Sequence, residues 1–126
     1  MSREVTDAEL AVMDVLWDQG ESTVREIADA LYRKSSTTEI GTVHSLLRRL
    51  DRKKFVRCSR RTHPHRFSAK VTREDLAGRE VKAIAEKLSE GSMAPLIMHL
   101  LDSGDLTRED AAEIRTLLKN YKPNQG

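Results

Sequence analysis

Cysteine occurs once in this 126-residue sequence, at Cys58. An internal disulfide is therefore excluded, and a reducing cytoplasm is the expected setting. Aromatic residues make up only 4%, so a core has to be built from Leu, Ile, Val, Met and Ala. No apolar run reaches the roughly 18 residues that a membrane-spanning helix needs, and no membrane insertion is expected. The opening stretch "MSREVTDAEL" holds no apolar signal segment, which argues against export. Also missing are a Gly-rich phosphate loop, an HExxH pair and a GxSxG elbow. The sequence thus offers no catalytic residues and no cofactor site, and the expectation is a non-enzyme.

What is present is charge, unevenly placed. Hydrophobic residues are 38% and charged residues 33%, yet the formal net charge is only +2. Residues 33–73 carry 13 basic side chains against two acidic ones, Glu39 and Asp51, a local net of +11. The remainder carries 9 basic against 18 acidic, a net of −9. Such segregation points to a polyanionic partner for the middle of the chain.

Helix signals recur throughout. Thr6-Asp7-Ala8-Glu9 is a capping box: the Thr hydroxyl accepts the N3 amide and the Glu side chain returns to the Thr amide. Leu10, Met13, Leu16 and Trp17 follow at helical spacing and predict the core stripe of a first helix, ended by Gly20. A second capping box, Thr23-Val24-Arg25-Glu26, opens a short helix with Ile27, Ala30 and Leu31 on its apolar side. "SSTTE" is a cluster of polar cap residues, a loop leading into a third helix. There, at 100° per residue, Ile40, Val43, Leu46, Leu47 and Leu50 gather on one side. Gly41, Ser45, Arg48 and Arg52 gather on the other, flanked by Thr42 and Arg49. Small and cationic residues together suit entry into a DNA major groove, because small side chains permit close approach and Arg donates to bases or phosphates.

"FVRCS" and "RFS" predict two short strands around the turn "RRTHPH", a β-hairpin with Arg60, Arg61 and Arg66 at its tip. Thr72 should cap a fourth helix striped by Leu76, Val81, Ile84, Ala85 and Leu88, and stopped by Gly91. Ser92 should cap a fifth with Met93, Leu96, Ile97, Leu100 and Leu101, with Pro95 tolerated in its first turn. Thr107 should cap a sixth lined by Ala111, Ile114, Leu117 and Leu118. The expected fold is mainly α: a winged helix-turn-helix domain over residues 1–71, a three-helix dimerisation domain over 72–120, and a disordered tail over 121–126. Three such short helices cannot bury their stripes alone, which predicts a homodimer through Val81, Ile84, Leu88, Leu96, Ile97, Leu100, Leu101, Ile114, Leu117 and Leu118.

The segments "TDAELAVMDVLW", "STVREIADAL", "TTEIGTVHSLLRRLDRKKFV", "FSAKVTRED" and "GSMAPLIMHLLD" resemble the penicillinase-repressor (BlaI/MecI-type) transcriptional regulators over roughly residues 5–118. The resemblance implies a winged-helix N-terminal domain, an intertwined C-terminal dimer and repression from an inverted-repeat operator on double-stranded DNA. It also implies relief through a membrane sensor metalloprotease, whose cut would fall near His99 and Leu100. Departures from the family pattern are local. A Thr-Thr pair early in the third helix is Gly41-Thr42 here, the glycine that follows that helix is Lys54, and His65 stands at an aromatic wing position.

The expected DNA contacts are Gly41, Thr42, Ser45, Arg48, Arg49, Arg52 and Lys53 from the third helix, and Arg60, Arg61 and Arg66 from the wing. Two other readings stay open. In one, His63, His65, His44 and Cys58 make the protein a metal- or redox-responsive DNA-binding sensor, although no set of ligands at metal spacing is evident. In the other, the basic surface meets an acidic protein and the chain is an adaptor.

Overall fold

A computed structural model describes residues 5–34 and 36–123. The elements are α1 (Asp7–Gln19), β1 (Ser22–Thr23), α2 (Val24–Leu31), α3 (Thr37–Arg52), β2 (Val56–Ser59), β3 (Arg66–Ala69), α4 (Arg73–Leu88), α5 (Ala94–Ser103) and α6 (Arg108–Asn120). The chain divides into two compact units, the first up to Ala83 and the second from Ile84. The mainly helical architecture expected from the sequence is what forms. No helix among the described residues is long and apolar enough to cross a membrane.

In the first unit both capping boxes close. Thr6 Oγ1 accepts from the Glu9 amide at 3.1 Å while Glu9 Oε1 accepts from the Thr6 amide at 2.9 Å. Thr23 and Glu26 repeat the pattern at 3.1 and 2.8 Å. Gly20 ends α1 with φ +79°, a conformation open to glycine at little cost. The α3 stripe packs as its spacing predicts, with Val43, Leu46, Leu47 and Leu50 buried and Ile40 half-buried. These meet Val12, Met13, Val15 and Leu16 from α1, Ile27 and Ala28 from α2, and Phe55, Val56 and Leu76.

Four details differ from the sequence reading. The buried stripe of α1 runs through Glu9, Val12, Met13 and Leu16, while Leu10, one residue and 100° further round, is 39% exposed. Trp17 is half-buried at the rim, where its Nε1 donates to the Val71 carbonyl at 2.9 Å under the Arg73 guanidinium. On α2, Ala28 is buried and Ala30 exposed, because Ala28 follows Ile27 on the inner side. Finally, α3 starts at Thr37, inside the polar cluster expected to be loop; Ser36 is its N-cap residue and hydrogen-bonds Glu39.

The expected two-stranded hairpin is a three-stranded antiparallel sheet in the order β1-β3-β2. Ser22 pairs with Phe67 and Thr23 with Arg66, while Cys58 pairs with Phe67 and Ser59 with Arg66 on the other edge. A two-residue strand has no periodicity of its own, so Ser22 and Thr23 carry only the signal of a helix cap.

In the second unit Thr107 caps α6 through the Asp110 amide at 3.0 Å. Pro95 sits in the first turn of α5, as expected, but Met93, not Ser92, is the N-cap residue, and no side chain caps that helix. Ser92 instead closes the preceding turn, its amide donating to the Ser89 carbonyl at 3.0 Å. Neither α5 nor α6 has a fully buried residue. Of the tail, Tyr121–Pro123 is outside any helix, and residues 124–126 lie outside the described residues.

The most constrained polar contact is Glu9 with Lys53. Glu9 has no solvent exposure, and Lys53 Nζ donates to its Oε1 at 2.7 Å. Burial alone would push the Glu9 carboxyl up, but the Lys53 ammonium and the Thr6 amide and hydroxyl outweigh it and hold the group below the ordinary value. A folded-state value below the unfolded one contributes stability above the unfolded value, lost as pH falls through the folded one. Lys53→Met should therefore destabilise the protein by about 2–3 kcal/mol at neutral pH, since it strands a buried carboxylate. The wild-type advantage over Lys53→Met should shrink as pH drops below about 4.5. Urea unfolding at pH 7 and pH 3 checks both; an equal difference at the two pH values would contradict the assignment.

Candidate nucleic-acid interface

The outer face of α3 is built by the same periodicity that builds its inner face. With Val43, Leu46, Leu47 and Leu50 fixed inward, Gly41, Thr42, His44, Ser45, Arg48, Arg49 and Arg52 are all exposed. Arg48, Arg49 and Arg52 make no ion pair with any described residue. Their charge is therefore not offset within the fold and faces solvent. Thr42 Oγ1 donates to the Thr38 carbonyl at 3.0 Å. This back-bond consumes its only hydrogen and leaves a methyl group and acceptor lone pairs for a partner.

Gly41 is the fifth of the sixteen residues of α3, past its first turn, where glycine costs helix stability relative to alanine. Nothing in the fold requires it: a Cβ at this position would meet no atom within 4 Å. The open space at Gly41 lies on the exposed side of α3, the side on which Arg48 and Arg52 stand.

Lys53 departs from the expected set. It is only partly exposed and its ammonium is held by Glu9, so at the end of α3 it serves the fold. The wing contributes Arg60 and Arg61, both exposed, and Arg57 on β2. Arg66, in β3, is half-buried and lies 3.5 Å from Glu26. The Glu26 carboxyl is held below its ordinary value, chiefly by the Thr23 amide. The sequence reading missed Arg25. In the first turn of α2, it lines a cleft of about 440 Å³ with Val24, Ile40, His44, His65 and Phe67. Only the fold brings α2, α3 and the wing to one place, and no periodicity signals it. The rings of His63 and His65 are tilted by 38° with centroids 5.2 Å apart. Among the described residues no three His, Cys, Asp or Glu side chains gather where a metal ion could be held.

Helices α1, α2 and α3, with a hairpin following α3 and closing onto a short strand before α2, define a winged helix-turn-helix, in which α3 occupies the recognition position. The sequence profile of the penicillinase repressor family matches residues 5–120, and the chain belongs to that family. It is 33% identical over 124 residues to a transcriptional regulator BlaI of Mycobacterium tuberculosis, covering 93% of this chain and 89% of the relative. It is 22% identical to a penicillinase repressor of Bacillus licheniformis, over 94% and 92% of the two chains. Against the methicillin resistance regulatory protein MecI of Staphylococcus aureus the identity is 21%, over 91% and 93%.

At the turn from α3 into the wing, Lys54 adopts φ +67°, the left-handed region that a non-glycine residue enters at a cost of about 1 kcal/mol. The turn is otherwise well closed, with the Phe55 amide donating to the Leu50 carbonyl at 2.9 Å. Lys54→Gly should relieve the strain and raise the midpoint of thermal unfolding by a few degrees, about 0.5–1 kcal/mol. Calorimetry decides it; a lowered midpoint would mean that the lysine side chain contributes more than the backbone strain costs.

Proposed function

We propose that the chain is a dimeric, sequence-specific DNA-binding repressor that recognises an inverted-repeat operator. Residues 1–71 contact double-stranded DNA, residues 72–120 hold two copies together, and the protein works in the cytoplasm. The observation that carries this reading is the outer face of α3: three exposed arginines without ion-pair partners beside a helix-interior glycine that the fold itself does not need. Arg48, Arg49 and Arg52 then meet phosphates and base edges, Gly41, Thr42 and Ser45 allow close approach, and Arg60, Arg61 and Arg66 follow the backbone from the wing.

The dimer reading rests on apolar side chains without cover. Val81, Ile84, Leu88, Ile97, Leu100, Leu101, Leu117 and Leu118 are between 43% and 76% exposed, and Leu96 and Ile114 are half-buried. Large apolar side chains exposed in this number call for cover by another apolar surface. The bond between His99 and Leu100 lies in the middle of α5. A cut there by a membrane sensor metalloprotease would divide α5 and release the operator.

Titration of the purified protein against its own upstream DNA and a scrambled duplex, at two salt concentrations, tests the function. A strong preference for the upstream DNA with a steep salt slope is expected; equal binding to both would refute sequence-specific recognition, and binding to neither would favour a protein partner. Gly41→Ala should act with opposite signs on two readouts. It should stabilise the fold by about 0.5–1 kcal/mol and weaken operator binding about tenfold, the size of one lost close contact. An Ala variant that is more stable and binds as well as wild type would place the glycine away from the DNA.

Ile97→Asp should leave the first unit folded and convert the dimer to monomer in sedimentation velocity, with loss of operator affinity. A variant that still sediments as a dimer would move the interface elsewhere.

A further inference from the structure

The cleft between α2, α3 and the wing has a composition that the proposed contacts do not use. Its lining combines the apolar side chains of Val24, Ile40, Pro64 and Phe67 with Thr23 and with Arg25, His44 and His65. Arg25 lies on α2, His44 on α3 and His65 in the wing turn just before β3, so the arrangement belongs to the fold rather than to one helix. Arg25 and His44 have no hydrogen-bond or ion-pair partner among the described residues, and His65 touches the ring of His63 at 5.2 Å.

The neighbouring charges favour an anion. Arg48 follows His44 by one turn of α3 and is exposed. Glu26 on α2 is engaged by the Thr23 amide at 2.8 Å and by Arg66. Both Glu26 and Asp29 line a separate hollow with Gln19 and Glu21. The Arg25 guanidinium would repel a cation, whereas a phosphate diester can accept from the guanidinium and from an N–H of each imidazole. With α3 in a major groove, the cleft between α3, α2 and the wing would lie beside a backbone strand.

We propose that a backbone phosphate of DNA is seated in this cleft among Arg25, His44 and His65, and that binding there is coupled to proton uptake by the two imidazoles. The proposal rests on the DNA-binding reading above. A phosphate beside an imidazole favours its charged form. The bound state therefore holds protons to a higher pH than the free state, and affinity rises as pH falls through the range in which histidine titrates. Each proton taken up strengthens binding by at most about tenfold per pH unit.

The test is a fluorescence titration of the full chain with upstream duplex at constant ionic strength, from about pH 8 to about pH 5.5. The wild-type Kd should fall about tenfold or more over that range. The double variant His44→Gln, His65→Gln should lose most of this dependence, and His63→Gln should keep it. Arg25→Gln should reduce the slope of log affinity against log salt by about 1. A double variant with the wild-type pH slope overturns the seat, as does an unchanged salt slope in Arg25→Gln. Imidazole resonances supply a readout that needs no substitution: in the wild-type protein the titration midpoints of His44 and His65 should move up when duplex is added, and midpoints that stay put overturn the proposal. If the wild type binds no duplex at any pH, the DNA-binding reading itself falls. Binding that ignores pH and these substitutions removes the seat alone.

Discussion

The first unit depends on a carboxylate placed where carboxylates are rarely found. Glu9 has no solvent exposure, and a single oxygen of it receives both the Thr6 amide and the Lys53 ammonium. The first contact fixes where α1 begins; the second joins that point to the residue that ends α3. The other carboxylate oxygen, Oε2, is buried and has no hydrogen-bond partner. An unsatisfied buried oxygen costs roughly 1–3 kcal/mol, so the pair is held in place by what it positions more than by its own net energy. The orientation of α3 relative to α1, and with it the outward aim of Arg48 and Arg52, is set between this polar clamp and the apolar contacts of Val43, Leu46, Leu47 and Leu50.

That division explains what could be read without coordinates. Both N-terminal capping boxes and the two faces of α3 were legible because they are local: spacing in the sequence is spacing on the helix. The double role of Glu9 was not, because its partner is 44 residues away and a capping glutamate looks the same whether it is buried or wet. For the same reason Lys53 read as one more cation of a basic run. Leu10 illustrates the converse error. A leucine at helical spacing from Met13 looks like core, but the stripe that packs is fixed by where α2 and α3 lie, and it passes through residue 9.

The basic middle of the chain was visible as composition, and its use as a face of α3 was visible as periodicity. The cleft lined by Arg25, His44 and His65 belongs to neither category. These residues are 19 and 21 positions apart along the chain, and only the return of β3 alongside β1 brings them together. A winged helix is compact enough that such convergence is decided by two residue pairs in a sheet.

Those two pairs have a mechanical consequence. Thr23 is at once the cap of α2 and the strand partner of Arg66. The half of the hairpin next to its turn is therefore stitched to the start of α2, and the hairpin cannot swing as an independent arm. Whatever adjustment the wing makes to the curvature of a bound surface is confined to residues 60–65, beyond the last paired residues Ser59 and Arg66. The central strand of this small sheet is thus braced on both edges, and the turn over residues 60–65 is the part of the hairpin that no strand pairing holds.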